Sequence, residues 1–189
     1  FPTPTIGMLG ILDNKEFATS LAFQEAGNRI YLIGESQNDI SSSEYLYSYH
    51  KVKSSPAPYF DLEKEYQVQR AIRKLIQKGI IQSAHDCSDG GLFIALLESA
   101  MVKNLGFDIS TDEDFRKDAF LFGEAQSRVV VSVKDVDEDA FIDFMSITSV
   151  EFSYIGDVTA EEIVIDGESF GSVDDAKNTY ENVLENALK

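Results

Sequence analysis

Apolar positions along the chain fall into short blocks with two different periods. Two blocks are near-continuous runs of strand length, Arg29 to Gly34 (RIYLIG) and Arg128 to Val133 (RVVVSV). The first reads as a strong short strand and the second as the best β signal in the sequence. Thr5 to Leu12 (TIGMLGIL) reads as another buried strand, with Gly7 and Gly10 allowing close approach. Before it, Phe1 to Pro4 is expected to be extended, because each proline biases its predecessor away from the helix. Ile80 to Asp86, Phe107 to Ile109, Val150 to Val158 and Glu162 to Ile165 read as further strands, with a turn at Asp166-Gly167.

The helical period appears elsewhere. Asp61 caps a helix running to Lys78, with Leu62, Tyr66, Ile72, Leu75 and Ile76 near one face and Gly79 as its stop. Ser88 or Asp89 is expected to cap a second, from about Gly91 to Lys103. A third runs from Val136 to Met145 on Phe141, Phe144 and Met145. The last starts at a capping-box-like Ser172 and Asp175, with Val173, Ala176, Tyr180, Val183, Leu184 and Ala187 as its stripe. Ser41 to Ser43 caps a small helix through Tyr49, Asp112 to Ala119 holds one helical turn, and Ser54 to Pro58 is the clearest loop. Strands and helices are interspersed without strict alternation. That favours an α+β or mixed-sheet domain over a doubly wound parallel sheet. No internal repeat is visible, and the first 50 residues are too few for a core of their own, so residues 1–189 read as one domain.

Composition narrows the function classes. Sixteen Lys and Arg face 33 Asp and Glu, a net charge of -17. Nucleic-acid binding needs a basic surface, so that class is set aside. A small phosphate-bearing molecule stays compatible, since backbone amides or Mg²⁺ can hold it. No apolar run approaches the ~18 residues of a membrane helix. The single cysteine, Cys87, rules out an intrachain disulfide and fits a reducing cytoplasm. The chain begins at Phe1 with no signal-peptide pattern, so it reads as processed or as cut from something longer. Seven acidic residues and no basic one lie between Asp157 and Asp175, a solvated face.

Candidate chemistry concentrates in two segments. In Ser83 to Leu92 (SAHDCSDGGL) a polar strand end runs into two glycines and an apolar helix. Gly90 and Gly91 reach backbone angles closed to other residues, and a helix start offers free N–H groups to a phosphate or carboxylate. Asp86 and Asp89 would repel a bare anion there. They fit a bridging Mg²⁺, a ribose hydroxyl or a loop amide. The plain alternative is a strand–turn–helix with an aspartate cap and a glycine hinge. The second segment, Gly123 to Arg128 (GEAQSR), enters the VVVSV strand. Glu124 and Gln126 accept hydrogen bonds there, and Arg128 has Asp86, Glu124 or a phosphate as possible partners. His85 and Cys87 share a strand face, yet nothing specifies the base and oxyanion hole that a Cys nucleophile needs. His50, His85 and Cys87 lack zinc-ligand spacing.

Three segments together carry a resemblance: PTPTIGMLG (Pro2 to Gly10), SAHDCSDGGL and GEAQSR with its strand. RIYLIGE (Arg29 to Glu35) and DLEKEYQ (Asp61 to Gln67) add to it. With this spacing over nearly the whole chain, the sequence resembles the C-terminal end of the phosphoribosylformylglycinamidine (FGAM) synthase family. Within a wider superfamily that includes aminoimidazole ribonucleotide (AIR) synthetase, selenophosphate synthetase, thiamine-phosphate kinase and a hydrogenase-maturation protein, the resemblance is to the second of two C-terminal domains. It implies an AIR-synthetase-like C-terminal fold, a layered α/β domain with a mixed, largely antiparallel sheet, with residues 1–12 leading in from a missing ATP-binding domain. It also implies a reaction in which ATP activates the amide oxygen of formylglycinamide ribonucleotide and ammonia then displaces phosphate to give the amidine.

The implied cofactors are Mg²⁺ and ATP or ADP in the full-length enzyme, none being required to fold this domain. Implied partners are the ATP-binding domains, a glutaminase domain or subunit supplying ammonia, and a phosphoribosyl small molecule. No catalytic residue is expected in this part, and the fragment alone is expected to be inactive. Carried onto matching positions, Asp86 is the metal carboxylate. Asp89, Gly90, Gly91, Glu124, Gln126, Ser127 and Arg128 line the nucleotide or substrate cleft. Two departures stand out. Ala125 replaces the serine of a Glu-Ser-Gln segment, and Ser41 and Ser42 replace glycines of a Gly-Gly-Ser-Glu segment. The apolar opening strand Ile6 to Leu12 also suggests association, with other domains in a full enzyme and as a homodimer in a fragment. Two other classes stay open: the C-terminal domain of a related ATP-dependent synthetase or kinase, and a non-catalytic nucleotide-binding or interaction module.

Overall fold

A computed structural model describes residues 5–12 and 14–188. Among them seven strands form one sheet: Arg29–Ile33 (β1), Ile81–Asp86 (β2), Gly106–Ile109 (β3), Val129–Val133 (β4), Phe152–Thr159 (β5), Glu162–Ile165 (β6) and Glu168–Ser172 (β7). Their order is β2-β4-β1-β5-β3-β6-β7. Every pairing is antiparallel except β3 with β6. The expected α+β class with a mixed, largely antiparallel sheet is what the chain adopts.

Helices cover both faces. Leu62–Lys78 (α1) and Glu138–Ser146 (α4) lie on one, where Leu75, Phe141 and Met145 pack on Tyr31, Ile33, Val131 and Val133. Gly91–Met101 (α2), Lys117–Phe122 (α3) and Val173–Glu181 (α5) lie on the other, where Leu92, Leu96, Phe120 and Val173 meet Ile30, Leu32, Val130 and Phe107. A short helix, Val183–Ala187 (α6), follows α5. The central strands therefore divide their side chains between two cores. This accounts for the unbroken apolar runs at Arg29 and Arg128.

Local signals place most of these elements. The Asp61 carboxylate accepts from the amides of Glu63 and Lys64 at 2.9 and 3.1 Å, and Gly79 ends α1 in the left-handed region at φ 66°. Ser43 Oγ accepts from the Leu46 amide at 3.1 Å and so supports the single π-helical turn Tyr45–Tyr49. Ser172 caps α5 through the Asp175 amide at 3.1 Å.

Several expectations are corrected. Thr5 to Leu12 is not a buried strand: Ile6, Met8, Leu9 and Ile11 are all more than four-fifths exposed. Strand propensity supplies no partner, and this segment pairs with no strand among the described residues. Phe1 to Pro4 and Asp13 lie outside the described residues. Neither Ser88 nor Asp89 caps α2; Gly90 occupies that position without a side-chain bond. The buried stripe of α1 is Val68, Ala71 and Leu75, while Leu62 and Tyr66 are exposed. At Asp112 the chain makes a turn, with the Phe115 amide donating to the Asp112 carbonyl at 3.1 Å, and the helix starts only at Lys117, as α3. The last stripe holds only at Val173 and Ala176, and Tyr180, Val183 and Leu184 face outward. Strand β7 was not expected, because its one large apolar residue, Phe170, is exposed.

Candidate functional site

The site grows from the ends of β2 and β4. Two residues of β2 oppose one of β4 where the register slips between Ile81 and Ser83, a bulge on an edge strand. Beyond it Ser83 faces Ser132 at 2.6 Å in the α2 layer. His85 follows on the same side and Asp86 turns to the α1 side, since a one-residue slip exchanges the two faces of a strand.

A cleft of about 1140 Å³ opens between α1 and these strand ends. Its apolar wall is formed by Val68, Ile72 and Ile76 of α1 with Phe60, Leu12 and Phe17. Its polar wall gathers Asp86, Asp89, Glu124, Gln126, Ser127 and Arg128. Six of the eight residues singled out in the sequence thus share one cavity. Gly90 and Gly91 stand behind it, at the start of α2.

Each polar group has a distinct setting. Glu124 Oε1 accepts from two backbone amides, Gly90 at 2.8 Å and Glu44 at 2.7 Å. It thereby satisfies the start of α2 and ties the Tyr45 turn to the cleft, the task expected of Ser88 or Asp89. Ser88 instead donates to Asp86 Oδ2 at 2.6 Å, which holds the Asp86 carboxyl below its usual range. Ser127 sits at φ 65° and donates to Glu65 Oε2 at 2.6 Å. Its carbonyl lies where a side chain at Gly34 would be, so that close approach requires glycine. Gln126 is exposed at the rim.

One residue differs from the sequence expectation. Arg128 borders the cavity, but it is only 2% exposed and pairs with neither Asp86 nor Glu124. Its guanidinium donates to the Phe120 carbonyl at 3.2 Å and to the Gly123 carbonyl. These are orphan acceptors at the end of α3, so Arg128 braces the floor rather than facing outward. Cys87 is buried, and burial pushes its thiol up to about 11, which leaves it protonated and inert at neutral pH.

Among the described residues no group of three or more His, Cys, Asp or Glu could hold a metal ion. Asp86 and Asp89 are the exposed aspartates of the cleft, and Asp86 is the one whose carboxyl is held below its usual range. Mg²⁺ commonly takes one or two protein carboxylates and completes its shell with water and phosphate, so this residue fits as a partial ligand. Sequence reasoning missed Glu65 and the Glu44 amide. Both lie far along the chain from their partners, and no local pattern announces them. No helix among the described residues is long and apolar enough to cross a membrane.

Comparison with known proteins places this geometry. The model of the C-terminal domain of AIR synthase related proteins matches residues 25–167. PurL, the phosphoribosylformylglycinamidine synthase subunit of Moorella thermoacetica, is 36% identical over 165 residues, 87% of this chain and 22% of that protein. The same subunit of Synechocystis is 38% identical over 158 residues, covering 82% and 21%. The chain thus spans about a fifth of the length of these relatives. Thermotoga maritima PurL complexed with FGAR superimposes with a TM-score of 0.73 at 16% identity, over 86% of this chain and 30% of that one. The hydrogenase maturation protein HypE in complex with ATP gives 0.55 at 15% identity, over 78% and 50%. At those identities the likeness is one of fold. The family match extends from before β1 to the turn after β6 and includes both segments that build the cleft, so the chain belongs to the AIR synthase related proteins, whose C-terminal domain it carries.

Proposed function

We propose that this chain is the C-terminal domain of an FGAM synthase and forms one wall of a nucleotide or substrate cleft in that enzyme. The observation that carries the reading is the convergence of Asp86, Asp89, Glu124, Gln126 and Ser127 on one cavity in a chain of this family. Relatives named for the enzyme support it, as do T. maritima PurL structures complexed with FGAR, ATP and ADP. The full-length protein would then be an ATP-dependent, amidine-forming ligase of purine biosynthesis, working in the cytoplasm with the ATP-binding domains and a glutaminase as partners. The solved structure of PurLQS from Thermotoga maritima is consistent with such an assembly.

The chain's own residues bind and orient. Asp86, whose carboxyl Ser88 holds below its usual range, would supply one carboxylate to Mg²⁺, and the ion would neutralise charge on phosphate oxygens. Gln126 at the rim offers both a donor and an acceptor to a polar ligand. Glu124 holds the Gly90 amide and the Tyr45 turn in place, and Arg128 fixes the floor. Val68, Ile72 and Ile76 exclude water along the α1 side. The exposed segment Ile6 to Leu12 is an association surface, for another domain of the enzyme or for a second copy.

No group here acts as nucleophile or general acid. The pure chain, mixed with formylglycinamide ribonucleotide, ATP, Mg²⁺ and ammonia, is therefore expected to form no amidine. Amidine formation above the rate without protein would overturn the assignment of catalysis to other domains.

A further inference from the structure

The later part of α1 differs in charge from the rest of the chain. Tyr66 to Lys78 holds Arg70, Arg73, Lys74 and Lys78 and no carboxylate, in a chain with a net charge of -17. On a helix a cation finds its local partner three or four positions away. Around Arg73 those positions are Gln69, Arg70, Ile76 and Gln77, none of them acidic. The other four arginines are occupied. Arg29 pairs with Asp135 and Asp157, Arg116 pairs with Asp118, Arg70 lies over the Tyr66 ring, and Arg128 is buried on carbonyls. Arg73 makes no hydrogen bond, ion pair or ring contact among the described residues.

The fold turns that free charge toward the cavity. Two rows of α1 with a spacing of four line the cleft, an apolar one of Val68, Ile72 and Ile76 and a polar one of Gln69, Arg73 and Gln77. Glu65, one turn before Gln69, does not neutralise the guanidinium. It lies about 12 Å along the helix axis from Arg73. Its two oxygens already accept from Gln69 at 2.6 Å and from Ser127 at 2.6 Å. Across the cleft stand Asp86 and Asp89, which repel a bare anion, and Glu124, whose Oε1 serves two amides. Arg128, the only other cation of the cavity lining among the described residues, is 2% exposed and spent on carbonyls. The cleft thus has a negative wall at the strand ends and one open positive charge on the helix.

We propose that Arg73 is the oxyanion contact of the cleft, an assignment that rests on reading this cavity as a ligand site. Its planar fork takes the phosphate of a phosphate-bearing small molecule, and the hydroxyl end of that ligand lies toward the carboxylates.

The test titrates the ¹⁵N-labelled 189-residue chain with ribose 5-phosphate, in EDTA so that no metal bridges. Ribose is the phosphate-free probe. In the wild type, ribose 5-phosphate shifts the Arg73 Nε–H resonance together with the amides of Asp86 and Asp89, and binding weakens as salt rises. Arg73→Gln weakens ribose 5-phosphate about tenfold, the scale of one bond to a charged group, and leaves ribose unaffected. Arg73→Lys keeps the charge without the fork and recovers only part of the loss. Lys74→Gln removes the same charge from the next residue, outside the cavity lining, and stays within about twofold of the wild type. Arg73 is exposed, so these variants keep the wild-type urea midpoint. Equal losses in Arg73→Gln and Lys74→Gln, or no loss in Arg73→Gln, overturn the proposal and leave the cleft as a ligand site. If ribose 5-phosphate shifts nothing in the wild-type cleft, the proposal also falls, and titration with ATP and Mg²⁺ decides the reading of the cleft separately.

Discussion

Gly91→Ala is expected to destabilise the chain by about 3 kcal/mol, a large fraction of the stability of a domain this size. Gly91 sits at φ +71°, and an added Cβ would lie 2.6 Å from the Gly123 carbonyl oxygen, 2.9 Å from the Leu121 oxygen and 2.9 Å from the Phe122 carbonyl carbon. All three are backbone atoms of the α3 end that Arg128 also braces, so none can swing aside. The glycine therefore serves a close approach between α2 and α3 as well as a left-handed turn. Gly27→Ala separates the two effects. Gly27 has φ +88° but nothing within 4 Å of an added Cβ, so only backbone strain remains, about 1 kcal/mol. Urea denaturation of both variants measures the difference. Equal losses would show that the contact with Gly123 contributes nothing.

Glu124→Ala is expected to cost about 2–4 kcal/mol, because one carboxylate oxygen serves two backbone donors and a bond to a charged acceptor contributes roughly 1.5–3 kcal/mol. The Gly90 and Glu44 amides would be left without that partner. Both segments border the cleft, so the loss appears locally too, as faster amide exchange at these two positions. Glu124→Gln keeps an acceptor oxygen in place and is expected to lose less than half as much. If the Ala and Gln variants unfold at the same denaturant concentration, the two amide bonds are not what Glu124 contributes.

The layers of the fold were legible in the sequence because they follow from patterns that act locally. Asp61 and Gly79 bound α1 by capping, and the unbroken apolar runs at β1 and β4 declare strands. The two segments around Asp86 and Glu124 were legible as chemistry because polar residues crowd there at the ends of apolar elements. What the sequence concealed depends on contacts distant along the chain. Arg128 looked like a cleft cation; the carbonyls at the end of α3 turn it inward. The α2 start looked capped by its own Ser88 or Asp89, yet Glu124, 34 positions later than Gly90, meets that need. Thr5 to Leu12 has the composition of a core strand, but composition cannot supply a hydrogen-bonding neighbour, and its side chains stay exposed. The bulge at Ile81 to Ser83 leaves no sequence mark either, although it decides that Asp86 rather than His85 faces the cleft.

The central claim is that the cleft between α1 and the ends of β2 and β4 receives the ligand. The most direct measurement is a titration of the ¹⁵N-labelled chain with ATP and Mg²⁺, and separately with formylglycinamide ribonucleotide, following every backbone amide. The account predicts saturable shifts concentrated at Asp86, Asp89, Gly90, Gly91, Gln126 and Ser127. Shifts confined to β6 and β7 at the other end of the sheet, or no shift with either ligand at millimolar concentration, would contradict it.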